Sequence, residues 1–363
     1  MRRRVLLAIL ICITPGLLAF KPVNQNSVES DDKALELLYN TISYKVKNTP
    51  GYRLETIGDD FPLYDYTDFT MHTHTSEEVV KKPSSEISDD EWQAFINTSI
   101  NYYSENGSVD YKLVDLDGDG KRDLILNAYT GGTSLSSTTG VLKRTGDRFV
   151  ALNHYDNESI SGEFFLQIER GANEGGQWIR IKDQVYALWF SGMYGEDNFY
   201  LLRPFNTENK IPNITVNYKY QYDDLSIQPE SEEGELKPAL NTDDKKRLIE
   251  VLNTESFYYH KQSQQQENMT ICPVPVGTSS EDAENYSAHI AGNYITQPVA
   301  TLPVWINGAC FVGSLESLFG RGEFLLISSP KEMEILGAYS ISGVRHIESI
   351  TKGWKFREGN ISF

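Results

Sequence analysis

Positive charge is scarce in this chain. Lys and Arg number 33 against 51 Asp and Glu, giving a formal charge of −18. Gripping a nucleic-acid backbone takes clustered Lys and Arg, so nucleic-acid binding is set aside as a function. Cysteine is scarcer still, with Cys12, Cys272 and Cys310 making up the full set. After residue 20 no segment approaches the roughly 20 apolar residues that span a bilayer, so no stable membrane insertion is expected once the N-terminus is removed. The GxSxG and HExxH signatures are missing, which removes the usual markers of serine and zinc hydrolases. The nearest serine, in Gly313-Ser314-Leu315, lacks the second glycine of a nucleophile elbow. No repeat of fixed period runs along the chain.

What is present begins with a leader. Arg2, Arg3 and Arg4 precede an apolar run from Val5 to Phe20, broken by Thr14, Pro15 and Gly16. That is the layout of a secretory signal peptide over residues 1–20, with a cut expected near Ala19. An uncleaved anchor is the competing reading, and the run is short for it. Cys12 follows Ile9-Leu10-Ile11 rather than a small residue, which argues against lipid attachment. Losing the leader, which has three arginines and no acids, takes the formal charge to −21. The mature chain is therefore expected to be periplasmic or secreted. In such a compartment Cys272 and Cys310 are expected to pair, the alternative being two buried thiols. Closing a loop of about 40 residues would contribute on the order of 3 to 4 kcal/mol.

The apolar spacing gives an α+β chain, mainly antiparallel β with a few flanking helices, in two domains. Leu35, Leu38, Ile42 and Val46 recur at helical spacing after Ser30-Asp31-Asp32. Ser88 and Glu91 form a capping box ahead of a second helix, whose stripe is Trp92, Phe95, Ile96 and Tyr103, ending by Gly107. Residues 50 to 87 read as loop with short strands. From about 109 to 222 the period alternates, and Gly-rich turns recur at 118–120, 131–132, 145–147, 173–176 and 195–197. The clearest strand has Ile214, Val216, Tyr218, Tyr220 and Tyr222 on one face. A helix over Asn241 to Leu252 closes a β-rich module spanning 21–258. A polar linker is placed at 259–271, and a small β-rich domain at 272–363. That domain should hold a short helix at 281–291, a hairpin turning on Asn307-Gly308 and strands near 323–328, 333–341, 343–350 and 353–358.

One motif carries definite chemistry. Residues 113 to 126 read Leu-Val-Asp-Leu-Asp-Gly-Asp-Gly-Lys-Arg-Asp-Leu-Ile-Leu. Asp115, Asp117, Asp119 and Asp123 occupy loop positions 1, 3, 5 and 9, with Gly120 at the sharp turn and the Lys121 carbonyl at position 7. Hard oxygen donors converging from a tight loop suit Ca2+. An EF-hand would place a bidentate Glu at position 12, which is Leu126 here, and helices on both sides. The segment instead resembles the DxDGDGxxD loop of FG-GAP and VCBS-type repeats. That resemblance implies a calcium loop between strands, with Asp115, Asp117, Asp119 and Asp123 as side-chain ligands and Lys121 as a backbone ligand. It covers about fourteen residues and implies neither a whole fold nor an activity. The competing reading is an acidic turn that binds no metal, and a structural use of calcium outranks a catalytic one.

The remaining signals are weaker. His72 and His74 share one side of an extended segment, a spacing that can contribute to a zinc or copper site, although an exposed polar turn is the plainer reading. His154, His260, His289 and His346 stand alone. Seven Asn-x-Ser/Thr sequons are present, at Asn97, Asn106, Asn157, Asn213, Asn268, Asn285 and Asn360. The first function expected is a non-enzymatic protein-binding module braced by calcium. Its concrete form is an envelope inhibitor or immunity protein whose acidic surface meets a basic toxin or lytic enzyme. The alternative is a calcium-dependent envelope hydrolase acting on glycan or peptidoglycan, with no catalytic residues assigned.

Overall fold

A computed structural model describes residues 25–49, 51–72, 81–99, 104–132, 135–151, 165–206, 210–227, 240–254, 272, 276, 296–318, 322–329 and 335–356. The leader, the acidic stretch at 230–235, the linker at 259–271 and the helix expected at 281–291 lie outside the described residues. The fold is α+β and mainly antiparallel, as expected, with two sheets.

The first sheet has the order β1-β2-β3-β4-β5, formed by β1 (Thr67–His72), β2 (Ser108–Val114), β3 (Asp123–Gly131), β4 (Ser136–Thr145) and β5 (Arg148–Ala151). A short β6 (Leu166–Glu169) also pairs with β4. The second sheet runs β11-β12-β13-β14-β10-β9-β8-β7. Its strands are β7 (Glu174–Ile181), β8 (Gln184–Met193), β9 (Glu196–Leu202), β10 (Lys210–Ile227), β11 (Thr296–Ile306), β12 (Ala309–Leu318), β13 (Gly322–Ser328) and β14 (Ile335–Phe356). Strands on both sides of the expected linker thus belong to one hydrogen-bonded sheet, joined where β10 pairs with β14.

The sheets pack face to face, and helices cover their outer faces. Ile125 and Val141 of the first sheet meet Val185 of the second, and Leu166 meets Ala187 and Trp189. On the far side of the first sheet, Leu124, Leu126 and Tyr111 pack with Trp92 and Phe95 of α2 (Asp89–Ile96). On the far side of the second, Tyr186 and Leu188 pack with Leu38 and Ile42 of α1 (Gln25–Asn48). Both faces of the central strands are therefore buried, which is why Leu124-Ile125-Leu126 and Tyr186-Ala187-Leu188-Trp189 are unbroken apolar runs. Burying each such Leu or Ile contributes about 1.5–3 kcal/mol.

Several local expectations are refined. Asp31 lies inside α1, buried, accepting a hydrogen bond from the Tyr186 hydroxyl at 2.8 Å and facing Arg203 at 3.4 Å. The Ser88–Glu91 capping box forms in both directions. Its helix stops at Ile96, however, and Ile96 is exposed; Tyr103 lies outside the described residues. The loop expected before it contains a 3-10 helix at Leu54–Asp60. Glu174, Gly175 and Gly176, read as a turn, open β7 instead, because pairing with Ser191, Phe190 and Trp189 overrides local turn preference. α3 (Thr242–Thr254) is capped by Asn241, which accepts from the Asp244 backbone N–H at 2.9 Å. Asn307 and Gly308 both take positive φ, 51° and 80°, as a two-residue hairpin turn requires.

The three strands expected between 333 and 358 are one strand, β14. Two bulges let β10 and β14 stay paired. Asn217 faces Ser349 while Tyr218 faces Ile347, so Glu348 is the extra residue; Tyr222 faces Gly343 while Asp224 faces Ser342, so Asp223 is the other. Each bulge resets which side chains face inward. Ile350 and Ile347 then share one core with Ile214 and Val216, while Tyr222 and Leu225 share another with Tyr339, Ile341 and Leu248. At the second bulge Asn253 of α3 binds both backbone groups of Tyr222 at 2.8 Å.

Candidate metal site

The acidic loop joins β2 to β3, and Val114 and Asp123 form the last cross-strand pair before it. Gly118 and Gly120 sit at φ 76° and 83°, a region where a side chain would be strained. These two positive turns wrap residues 115–120 so that backbone N–H groups point inward. Asp115 accepts from Gly118 N at 2.8 Å and from Gly120 N at 2.9 Å. Asp117 accepts from Asp119 N at 3.3 Å, and Asp119 from Lys121 N at 2.9 Å. Leu116 turns the other way, buried with Val114 and Ile125 in the core between the sheets. Anchored at Leu116, the loop keeps its carboxylates together at the edge of that core.

Asp123 is fully buried and holds both ends of the loop. Its Oδ2 accepts from Leu116 N at 3.1 Å and its Oδ1 from Arg144 N at 2.8 Å. Burial pushes its carboxyl up to about 6; those two backbone N–H groups and Lys143 pull against the rise, while Asp117 adds to it. Asp119 is held below its ordinary value chiefly by the Lys121 N–H, with Lys143 also lowering it. Lys143 of β4 pairs with Asp117 and lies 3.3 Å from Asp119. An ammonium drawn onto two of the loop carboxylates shows the negative field a cation would meet there.

Oxygens of Asp115, Asp117 and Asp123 all lie within 4.8 Å of one another, so these three could hold a metal ion. Asp119 is not part of that cluster, its carboxylate being turned to its own loop backbone and to Lys143. Lys121 is exposed. The adjoining Arg122 fastens the loop to α2: it donates to Glu91 at 2.7 and 2.6 Å, to Thr67 Oγ1 at 2.7 Å and to Glu86 O at 2.9 Å. Burial works to raise Glu91, but these bonds and the Ser88 cap outweigh it and hold the carboxyl at about 2.

Sequence reasoning did not find Lys143 and Arg144. Nothing local marks them; they reach the loop because β4 lies beside β3, with Leu142 opposite Leu124. Elsewhere, Cys272 and Cys310 are disulfide-bonded, with Cα atoms 5.7 Å apart. His72 ends β1 opposite Ser108, while its expected partner His74 lies outside the described residues. His346 is exposed on β14. Among the described residues no helix is long and apolar enough to cross a membrane. The chain matches no protein-family model, no curated protein and no solved structure.

Proposed function

We propose that Asp115, Asp117 and Asp123 bind Ca2+, and that the ion braces the β2–β3 hairpin of an exported binding protein. The observation carrying this reading is the convergence of three carboxylates within 4.8 Å in a loop that offers oxygen donors throughout. Oxygens on opposite sides of calcium, at 2.3–2.6 Å from it, stand about 4.6–5.2 Å apart, so the span suits that ion. Asp119 and the Lys121 carbonyl are the donors the sequence adds to the set. Lys143 shares oxygens with the ion and must yield them on binding. The role is structural: the ion offsets repulsion among the loop acids and fixes Leu116 in the core between the sheets.

The leader and the disulfide both suit an oxidising compartment, periplasmic or extracellular. Within it, the acidic chain suits a basic protein partner, and an inhibitor or immunity protein directed at a toxin or lytic enzyme is the concrete form. A glycan hydrolase is the second reading. It is favoured by a cavity of about 720 Å³ between the sheets, where Glu174, pushed up to about 7 chiefly by burial, shares the walls with Asp68 and Asp110.

Thermal unfolding in calcium and in chelator tests the first proposal. Calcium should raise the melting temperature of the wild type, by an amount that grows with calcium concentration, and leave Asp117→Ala unmoved; at a hundredfold excess over Kd the gain is about 2.7 kcal/mol. No shift at millimolar calcium would remove the metal assignment. Release of soluble glycan from purified peptidoglycan, lost in Glu174→Gln, would move the chain to the second reading.

A further inference from the structure

A second cavity, of about 500 Å³, lies where the segment after α1 crosses β8, β9, β10 and β14, and it is separate from both the acidic loop and the cleft between the sheets. Its walls combine aromatic side chains with two carboxylates and two guanidinium groups. Tyr52, Phe190, Asp197, Glu55, Arg53 and Arg345 are among the lining residues. A cavity of this size, with aromatic walls and a few placed polar groups, is the usual form of a small-molecule site.

The polar groups are held in advance of any ligand. Arg345 lies over the rings of Tyr218 and Tyr220, at 4.7 and 5.3 Å from their centroids. Its Nε donates to the Tyr220 hydroxyl at 2.8 Å, and Tyr220 is its cross-strand partner. One Nη reaches Asp197 Oδ2 at only 3.4 Å. Those are its hydrogen bonds among the described residues, so the second Nη keeps its donors. Asp197 is 1% exposed, whereas the Arg345 side chain is 43% exposed. A buried acid is thus joined by a long, weak bond to a cation that opens onto the cavity.

Charge balance narrows the ligand. The charges lining the cavity balance in two pairs, Asp197 with Arg345 and Glu55 with Arg53, so an anion or a cation would each bring in a charge with no counterpart. A neutral ligand with paired donors and acceptors disturbs neither. A pyranose ring has that character: vicinal hydroxyls bridge a carboxylate and a guanidinium, and its C–H face packs on an aromatic ring. We propose that this cavity binds a neutral saccharide, with Arg345, backed by the buried Asp197, holding hydroxyls and Tyr52 and Phe190 packing on the sugar's apolar face. The proposal does not rest on calcium binding.

The test is saturation-transfer NMR and calorimetry on the whole mature protein in calcium. Maltose, cellobiose and N,N′-diacetylchitobiose serve as neutral probes, with acetate and tetramethylammonium as charged ones. At least one sugar should bind in the millimolar range or tighter. Arg345→Gln and Tyr52→Ala, checked for folding by thermal unfolding, should each weaken it tenfold or more. Failure of all three sugars, binding indifferent to both substitutions, or an Arg345-dependent site that takes only a charged probe would overturn the proposal.

Discussion

The β2–β3 loop and the tyrosine-lined cavity use similar parts in opposite ways. Both set carboxylates against a basic side chain, Lys143 in the loop and Arg345 in the cavity. In the loop, three acids lie within nine residues of sequence, and the backbone N–H groups that orient Asp115, Asp117 and Asp119 come from the loop itself. In the cavity, Asp197, Tyr220 and Arg345 come from three strands, and the tyrosine and the arginine are 125 residues apart. A site built by local turns can be read as a motif. A site built by strand register has no motif, because its parts meet only after long-range pairing.

The most severe way to break the contrast is Asp123→Ala. It strips the acceptor from two backbone N–H groups around a fully buried position. Such donors cost about 1–3 kcal/mol each when left unmade. Denaturant unfolding should therefore show a loss of about 4 kcal/mol in chelator and a larger one in calcium, where the stabilisation by the ion is lost as well. A loss confined to the calcium-loaded protein would mean that Asp123 acts as a ligand alone.

Asp197→Asn probes the cavity through pH. Burial lifts Asp197 to about 7 against the pull of Arg345, while Glu55 and Glu196 add to the rise and Tyr218 opposes it. The unfolded carboxyl ionises near 4. Between about pH 4 and pH 7 the folded chain therefore holds a proton that the unfolded chain has released, and this group's contribution to stability falls as pH rises. Stability measured across that window should fall less in Asp197→Asn, by about 3 to 4 kcal/mol, since each pH step between the two ionisations is worth roughly 1.4 kcal/mol. Parallel wild-type and variant curves would mean that the acid titrates normally.

Gly343→Ala has the smallest expected effect. A Cβ there would stand 2.5 Å from Gln221 O and 3.0 Å from Tyr222 Cα, both backbone atoms that cannot rotate away. Crowding of this kind costs about 1–3 kcal/mol. Unfolding should show that loss, and sugar binding should weaken because the β10–β14 pairing beside Arg345 is disturbed. The calcium shift should stay unchanged, which would separate the two regions as independent sites.

The same division runs through the fold. The Ser88–Glu91 box, the Asn307-Gly308 turn and the acidic loop were legible because each is complete within a few residues. The extent of β14 was not: the gaps expected at 342 and at 351–352 lie within its continuous ladder with β10. Nor was the length of β10, whose alternation fails at Asp223-Asp224 until the bulge restores it and buries Leu225.

By itself the sequence determined that Asp115, Asp117, Asp119 and Asp123 would share one tight loop, since its glycine turns lie in the loop itself; that Asp115, Asp117 and Asp123 converge while Asp119 stays out of the cluster was decided by the fold. The sequence also determined that Ile214, Val216, Tyr218, Tyr220 and Tyr222 would share one face of a strand. Which residue of β14 meets those tyrosines was settled only by tertiary structure. Side chains alternate with a period of two, so without the extra residue at Glu348 the face that carries Ile350 would continue through Glu348 and His346. With it, the face continues through Ile347 and Arg345, and the arginine rather than the histidine stands over the rings.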